Sequence, residues 1–194
     1  MDNLGVQKKI MKKRNNSYFL KSGSVTSDSD SDTDDTMIKQ EENRVYFHAE
    51  VTRKNGFALM ECIRKAQEYV ASRNIKNEFE KMSKIYLFIF SDGGELYVGM
   101  NIADFIINSK VNIVTINEGC VASAATIISM AGKERYIRKN AYMLIHELRS
   151  GVWGKYSECL DDMDNNNILM DNIKKFINER CKNQKLAKKL NKVL

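Results

Sequence analysis

Proline is absent from all 194 residues, which excludes a proline-rich linker or recognition segment. No apolar run approaches the roughly 18 to 20 residues of a membrane-spanning helix, so the chain reads as soluble, with no membrane partner. Histidine occurs only at His48 and His146, too few for a histidine-rich metal site. The four cysteines, Cys62, Cys120, Cys159 and Cys181, fit no zinc spacing, and a chain of this length folds without covalent staples. They read as reduced thiols in a cytosol-like compartment, and a cytoplasmic location is expected, with an organellar or viral-host compartment left open. No G-x-x-x-x-G-K-[ST] loop is present, so no bound nucleotide is expected, nor any other cofactor. Lys8, Lys9, Lys12, Lys13 and Arg14 precede no apolar core and do not read as a secretory signal.

The net charge of +6 raises a nucleic-acid reading. It divides, however, into a basic N-terminal arm, an acidic tract and a lysine-rich C-terminus, with no accompanying recognition motif. Solvated surface is the better account, and no nucleic-acid partner is expected.

Residues 1–43 are polar and include Ser27-Asp28-Ser29-Asp30-Ser31-Asp32-Thr33-Asp34-Asp35. Such a tract buries too little apolar area to offset ordering entropy, so it reads as a disordered arm, with order beginning at Arg44. Alternation through Val45, Phe47 and Ala49 predicts a strand. Three- and four-residue spacing through Phe57, Met60, Ile63 and Val70 predicts a helix over about 56–73, and 74–83 read as a loop or frayed helix end. The unbroken run Ile85–Phe90 predicts a strand covered on both faces. It ends in Ser91-Asp92-Gly93-Gly94 and is followed by a helix over about 96–108. Val111–Ile116 predicts another strand, then a turn through Gly119 and a helix over about 122–131. Arg135–Arg138 and Tyr142–Glu147 read as strands, about 155–181 as a long helix, and 186–194 as the start of one more. This order implies an α/β domain with parallel strands and right-handed crossovers.

Chemistry collects at two glycine-bearing turns after consecutive strands, where sites in α/β sheets gather. Gly93-Gly94 lets backbone approach a substrate closely. Ser123 stands among small residues in Gly119-Cys120-Val121-Ala122-Ser123-Ala124-Ala125, at the start of a helix with free N–H groups. A hydroxyl there suits a nucleophile, and the amides of Gly94 and Ala124 suit an oxyanion hole. Taken singly, each motif reads better as a plain turn or a helix cap than as a site.

From Arg44 onward the chain resembles the proteolytic subunit of the Clp protease family. Arg44-Val45-Tyr46-Phe47, Ser91-Asp92-Gly93-Gly94, Gly99-Met100, Gly119-Cys120-Val121-Ala122-Ser123 and Met143-Leu144-Ile145-His146 follow the family's elements in order. The resemblance implies a crotonase-like α/β spiral of ββα units with a long protruding handle helix from Lys155. It implies a serine endopeptidase with Ser123 as nucleophile, His146 as general base, and Gly94 and Ala124 as oxyanion donors. It further implies a homo-oligomer of stacked heptameric rings, fed unfolded protein substrates by an AAA+ unfoldase.

The expected third member, an aspartate beyond the handle helix, aligns a few residues past Leu194, so residues 44–194 read as a peptidase domain whose C-terminal part is missing. Asp161, Asp162, Asp164 and Asp171 fall on the handle helix and receive no role. Asp92, Lys139 or a neighbour, and Glu147-Leu148 stand where the family carries prolines, and Asp92 would weaken the oxyanion hole if turned inward. A non-catalytic subunit that tunes a mixed ring is the second reading. An acyl-CoA-binding enzyme on the same scaffold is the third.

Overall fold

The computed structural model describes residues 37–76, 83–181 and 183–190. A six-stranded sheet carries helices against one face. In chain order the elements are β1 (Met37–Glu41), β2 (Arg44–His48), α1 (Arg53–Lys76), β3 (Lys84–Ser91), α2 (Leu96–Ile107) and β4 (Asn112–Ala122). There follow α3 (Ala124–Ala131), β5 (Glu134–Ile137), β6 (Tyr142–Leu144), α4 (Tyr156–Arg180) and α5 (Gln184–Leu190). The strand order is β1-β2-β3-β4-β5, with β6 also pairing β4. From β2 to β6 every pairing is parallel, as the alternation of strands and helices predicts; β1 runs antiparallel to β2.

Four local expectations are corrected. Order starts at Met37, inside the stretch read as disordered, because an edge strand needs cover on one side only, and MIKQE alternates exposed residues with the half-covered Ile38 and Gln40. The remainder of the arm and residues 77–82 of the expected loop lie outside the described residues, as do residues 191–194 of the last helix. Strand β3 is not covered on both faces: Ile85, Leu87 and Ile89 are fully buried, whereas Phe90 is exposed. On the open side Tyr46 stacks on Phe88, centroids 5.0 Å apart. Strand β4 does not end in a turn at Gly119 but continues to Ala122 through a bulge, and α3 begins only after Ser123.

The core lies between the inner face of the sheet and α1, α2 and α3. Helix α1 presents Leu59, Ile63, Ala66 and Val70 at helical spacing, and α2 presents Ile102, Ala103 and Ile106. Helix α3 is buried at every position, the pattern of a helix enclosed on all sides. Helix α4 is the opposite. Only Ile173 and Ile177 are buried, both in its C-terminal half, while Tyr156, Leu160, Met163 and Ile168 face solvent.

Candidate active site

Strand β4 delivers Ser123 to the N-terminus of α3. Its backbone sits at φ 52°, ψ −127°, and among the described residues only Glu42 is another non-glycine with positive φ. Such a conformation costs about 1–3 kcal/mol and persists only where neighbours impose it. Three bonds do so here. The Ser123 amide donates to Leu144 O at 3.0 Å, while the Ser123 carbonyl accepts from Thr126 N at 3.0 Å and Thr126 Oγ1 at 2.6 Å. The Ser123 hydroxyl makes no capping bond, so the residue is not serving as an ordinary helix cap. A strained serine at a sharp strand-to-helix turn is the geometry of a nucleophile elbow.

Helix α3 is fixed to β4 by polar groups inside the core. Thr115 Oγ1 donates to Ser129 O at 2.7 Å, and Ser129 Oγ donates to Asn117 Oδ1 at 2.7 Å. Thr115, Asn117 and Ser129 are all buried, so these bonds also satisfy groups that would otherwise be costly to enclose.

The Gly93-Gly94 turn meets this elbow. A Cβ on Gly93 would lie 2.6 Å from Ser123 Cβ and 2.7 Å from Ala122 O, so the two backbones touch and only glycine fits. Both glycines have positive φ, 103° and 140°. Ser91 Oγ accepts from Gly93 N at 3.2 Å, and Val51 bridges the turn: Val51 N donates to Gly93 O and Glu95 N to Val51 O, each at 2.7 Å. That bridge skips the Gly94 amide. The Ala124 amide belongs to the first turn of α3, which has no intrahelical acceptor. Gly93, the neighbour of Gly94, is thus brought against Ser123 and Ala124, while Gly94 itself packs on the Val51 backbone.

His146 follows two residues after Leu144, whose carbonyl holds the Ser123 amide, but it lies past the end of β6, outside regular structure. Its Nδ1 bonds Glu147 O at 2.6 Å. A carbonyl only accepts, so Nδ1 carries the hydrogen and Nε2 is left as the basic atom. No hydrogen bond joins His146 to Ser123 among the described residues. The orienting partner is a neutral carbonyl, which fixes the tautomer without adding the negative charge that would stabilise an imidazolium. Asp161, Asp162, Asp164 and Asp171 are exposed on α4. Asp92 is exposed and interacts with the Cys120 thiol, which also bonds the Tyr142 hydroxyl. Burial pushes the Cys120 thiol up, the Tyr142 bond opposes this, and Asp92 adds to it.

Two shallow clefts flank α4. One, of about 530 Å³, lies between Tyr97, Ser150, Gly151 and the helix. The other, of about 400 Å³, lies between Glu147, Leu148 and the helix. Val51 escaped the sequence reading as a site residue: it holds a turn distant in the chain, and no local pattern signals it.

The chain is 41% identical over 76 residues to the ATP-dependent Clp protease proteolytic subunit 2 of Treponema denticola, covering 38% of each chain. It is 33% identical over 95 residues to the corresponding subunit 2 of Tropheryma whipplei, covering 48% of this chain and 53% of that one. The alignments thus span about two fifths to half of those relatives' lengths. In three dimensions it is similar to a ClpP1 mutant from Listeria monocytogenes, with a TM-score of 0.62, 19% identity and 78% of both chains covered. That likeness establishes the ClpP/crotonase-like α/β architecture. The Clp protease family model matches residues 39–193. With the fold and this match in agreement, the chain belongs to the Clp protease family.

Proposed function

We propose that the protein is a serine endopeptidase subunit of a Clp-type protease. Ser123 attacks a peptide carbonyl while His146 Nε2 takes its proton. The amides of Gly94 and Ala124 hold the oxyanion, and His146 then returns the proton to the leaving amine. An acyl-enzyme forms and is hydrolysed by water. The observation that carries this reading is the strained, uncapped Ser123 packed directly against the Gly93-Gly94 turn. The assembly is a pair of stacked heptameric rings joined through α4, whose exposed apolar side chains suit a surface covered by another subunit. An AAA+ unfoldase supplies unfolded protein, and the compartment is cytoplasmic.

Loss of the triad aspartate elsewhere lowers turnover about 10⁴-fold. A carbonyl at Nδ1 therefore makes for slow turnover unless a carboxylate joins the site. The test is labelling by a fluorophosphonate probe in the assembled full-length protein. Ser123 should be modified, Ser123→Ala should abolish the modification, and His146→Ala should slow it. An unlabelled wild-type protein would sink the proposal. A second reading, a non-catalytic subunit that tunes active partners in a mixed ring, draws on the missing bond between Ser123 and His146. It gains if Ser123→Ala leaves the peptidase activity of a mixed complex unchanged.

A further inference from the structure

Strand β4 changes partners at one place. Val114–Asn117 pair with β5, whereas Cys120–Ala122 pair with β6. Between them Ile89 faces Asn117 and Ser91 faces Val121, so a single residue of β3 stands opposite Glu118, Gly119 and Cys120. These extra residues form the bulge that aims the strand at Ser123, and bulges of this kind re-aim strands beside active sites. Gly119 lets the bulge press on the Phe90 ring, which a Cβ would approach to 3.2 Å.

Glu118 is the charged residue of this bulge, and its carboxylate is only 13% exposed. Each oxygen has its own partner. Oε2 is 2.9 Å from His48 Nε2, and Oε1 is 2.5 Å from Arg138 Nη2. His48 ends β2, three residues before Val51, the residue that holds the Gly93-Gly94 turn. Arg138 follows β5 and opens the connection to β6 and His146; its amide donates to Asn117 O at 2.9 Å, and Ala141 N donates to its carbonyl at 3.0 Å. One carboxylate therefore meets the three chain segments that lead to the oxyanion turn, the serine and the histidine.

We infer that Glu118, clamped by His48 and Arg138, is a positioning residue that fixes the relative placement of the Gly93-Gly94, Ser123 and His146 segments. This rests on the serine reading above only for its effect on reactivity. Both oxygens are engaged, and bonds to an ionised carboxylate are stronger than neutral ones. The His48 side is shielded, whereas Arg138 is 59% exposed and its bond is weakened by solvent. Cutting one bond frees one segment. Removing the carboxylate frees all three.

The test compares Glu118→Ala, Arg138→Met and Arg138→Lys in the full-length protein, by amide-exchange mass spectrometry and by the rate of fluorophosphonate labelling. In Glu118→Ala, exchange should rise about tenfold or more in peptides covering 91–95, 119–124 and 141–146, with α1 unchanged, and labelling should slow by a similar factor. Arg138→Met should loosen 141–146 and spare 119–124. Arg138→Lys should restore both readouts to within about twofold of wild type. If Glu118→Ala does not fold, the two Arg138 variants decide alone. Unchanged exchange in the three segments, a uniform rise that includes α1, or failure of lysine to rescue would each overturn the inference. Amide exchange reads positioning whether or not Ser123 reacts, so an unlabelled wild type would refute the serine reading and leave the exchange comparison decisive here.

Discussion

Gly93→Ala is the most informative single substitution at the elbow. The residue has φ 103°, a conformation that costs an L-side chain about 1–2 kcal/mol. Its added methyl would stand 2.6 Å from Ser123 Cβ, 2.7 Å from Ala122 O and 3.1 Å from Ala124 N. None of these is the end of a flexible side chain, so backbone must move. Overpacking of this kind costs about 1–3 kcal/mol. Together the two terms give about 2–5 kcal/mol, within the usual 5–15 kcal/mol stability of a domain, so the variant still folds. At about 2–4 °C per kcal/mol for a chain of this size, the melting temperature should fall by about 4–20 °C.

The same methyl pushes Ser123 away from the turn. A displacement near 1 Å at a reacting group costs about 100-fold in rate, so fluorophosphonate labelling should slow by that order. The measurements are calorimetric unfolding and labelling kinetics on the same preparation. A melting temperature within about 1 °C of wild type, together with unchanged labelling, would refute the contact between the glycine turn and the serine.

Other outcomes follow from the same geometry. Ser129→Ala removes the donor to the buried Asn117 Oδ1 and should cost about 1–3 kcal/mol in urea unfolding, whereas a neutral result would mean Asn117 has another partner. Tyr142→Phe deletes the bond that opposes the upward shift of the Cys120 thiol. With the other three cysteines changed to serine, its alkylation profile should therefore move to higher pH, and faster alkylation would contradict the placement of that hydroxyl. Ser123→Gly relieves about 1–3 kcal/mol of strain and adds about 0.5–1 kcal/mol of unfolded-state entropy, so the melting temperature should hold or rise while labelling vanishes. A clear drop would argue against strain at that residue.

Much of the fold was legible because the apolar pattern is strong. The alternation of strands and helices from Arg44 to Arg180 follows from periodicity, and the strand α/β order predicts parallel pairing. The failures share a cause: a local pattern cannot show what lies across the sheet. Asn117 and Glu118 end the apolar run and suggest a turn, yet Asn117 is satisfied by Ser129 of α3, and Glu118 is held by His48, 70 residues earlier. The β3 run reads as doubly covered, yet on its outer face Phe88 and Phe90 meet the rings of Tyr46 and His48 on the neighbouring strand rather than a covering helix. Ser123 stood out through its small neighbours, but its positive φ is a property of the assembled elbow. His146 was legible as a residue and not as a placement, because β6 ends at Leu144.

The two halves of the candidate site are anchored unequally, and this predicts how each fails. Three hydrogen bonds hold the Ser123 backbone, each contributing about 0.5–1.5 kcal/mol, enough to offset the 1–3 kcal/mol of strain. A fully buried helix and an internal polar network stand behind them. His146, half-buried beyond a three-residue strand, has among the described residues one hydrogen bond of its own, to the carbonyl of its neighbour. Its segment reaches the core through Ile145 and through Leu148 N, which donates to Met170 Sδ. Substitutions on the serine side should therefore change stability and reactivity together. On the histidine side they should separate: His146→Ala should shift unfolding by no more than about 0.5 kcal/mol, as at ordinary surface positions, yet slow labelling of Ser123. Paired unfolding and labelling measurements decide it. A His146→Ala protein that unfolds several kcal/mol more easily would mean the imidazole itself is tied into the core by contacts stronger than that one bond.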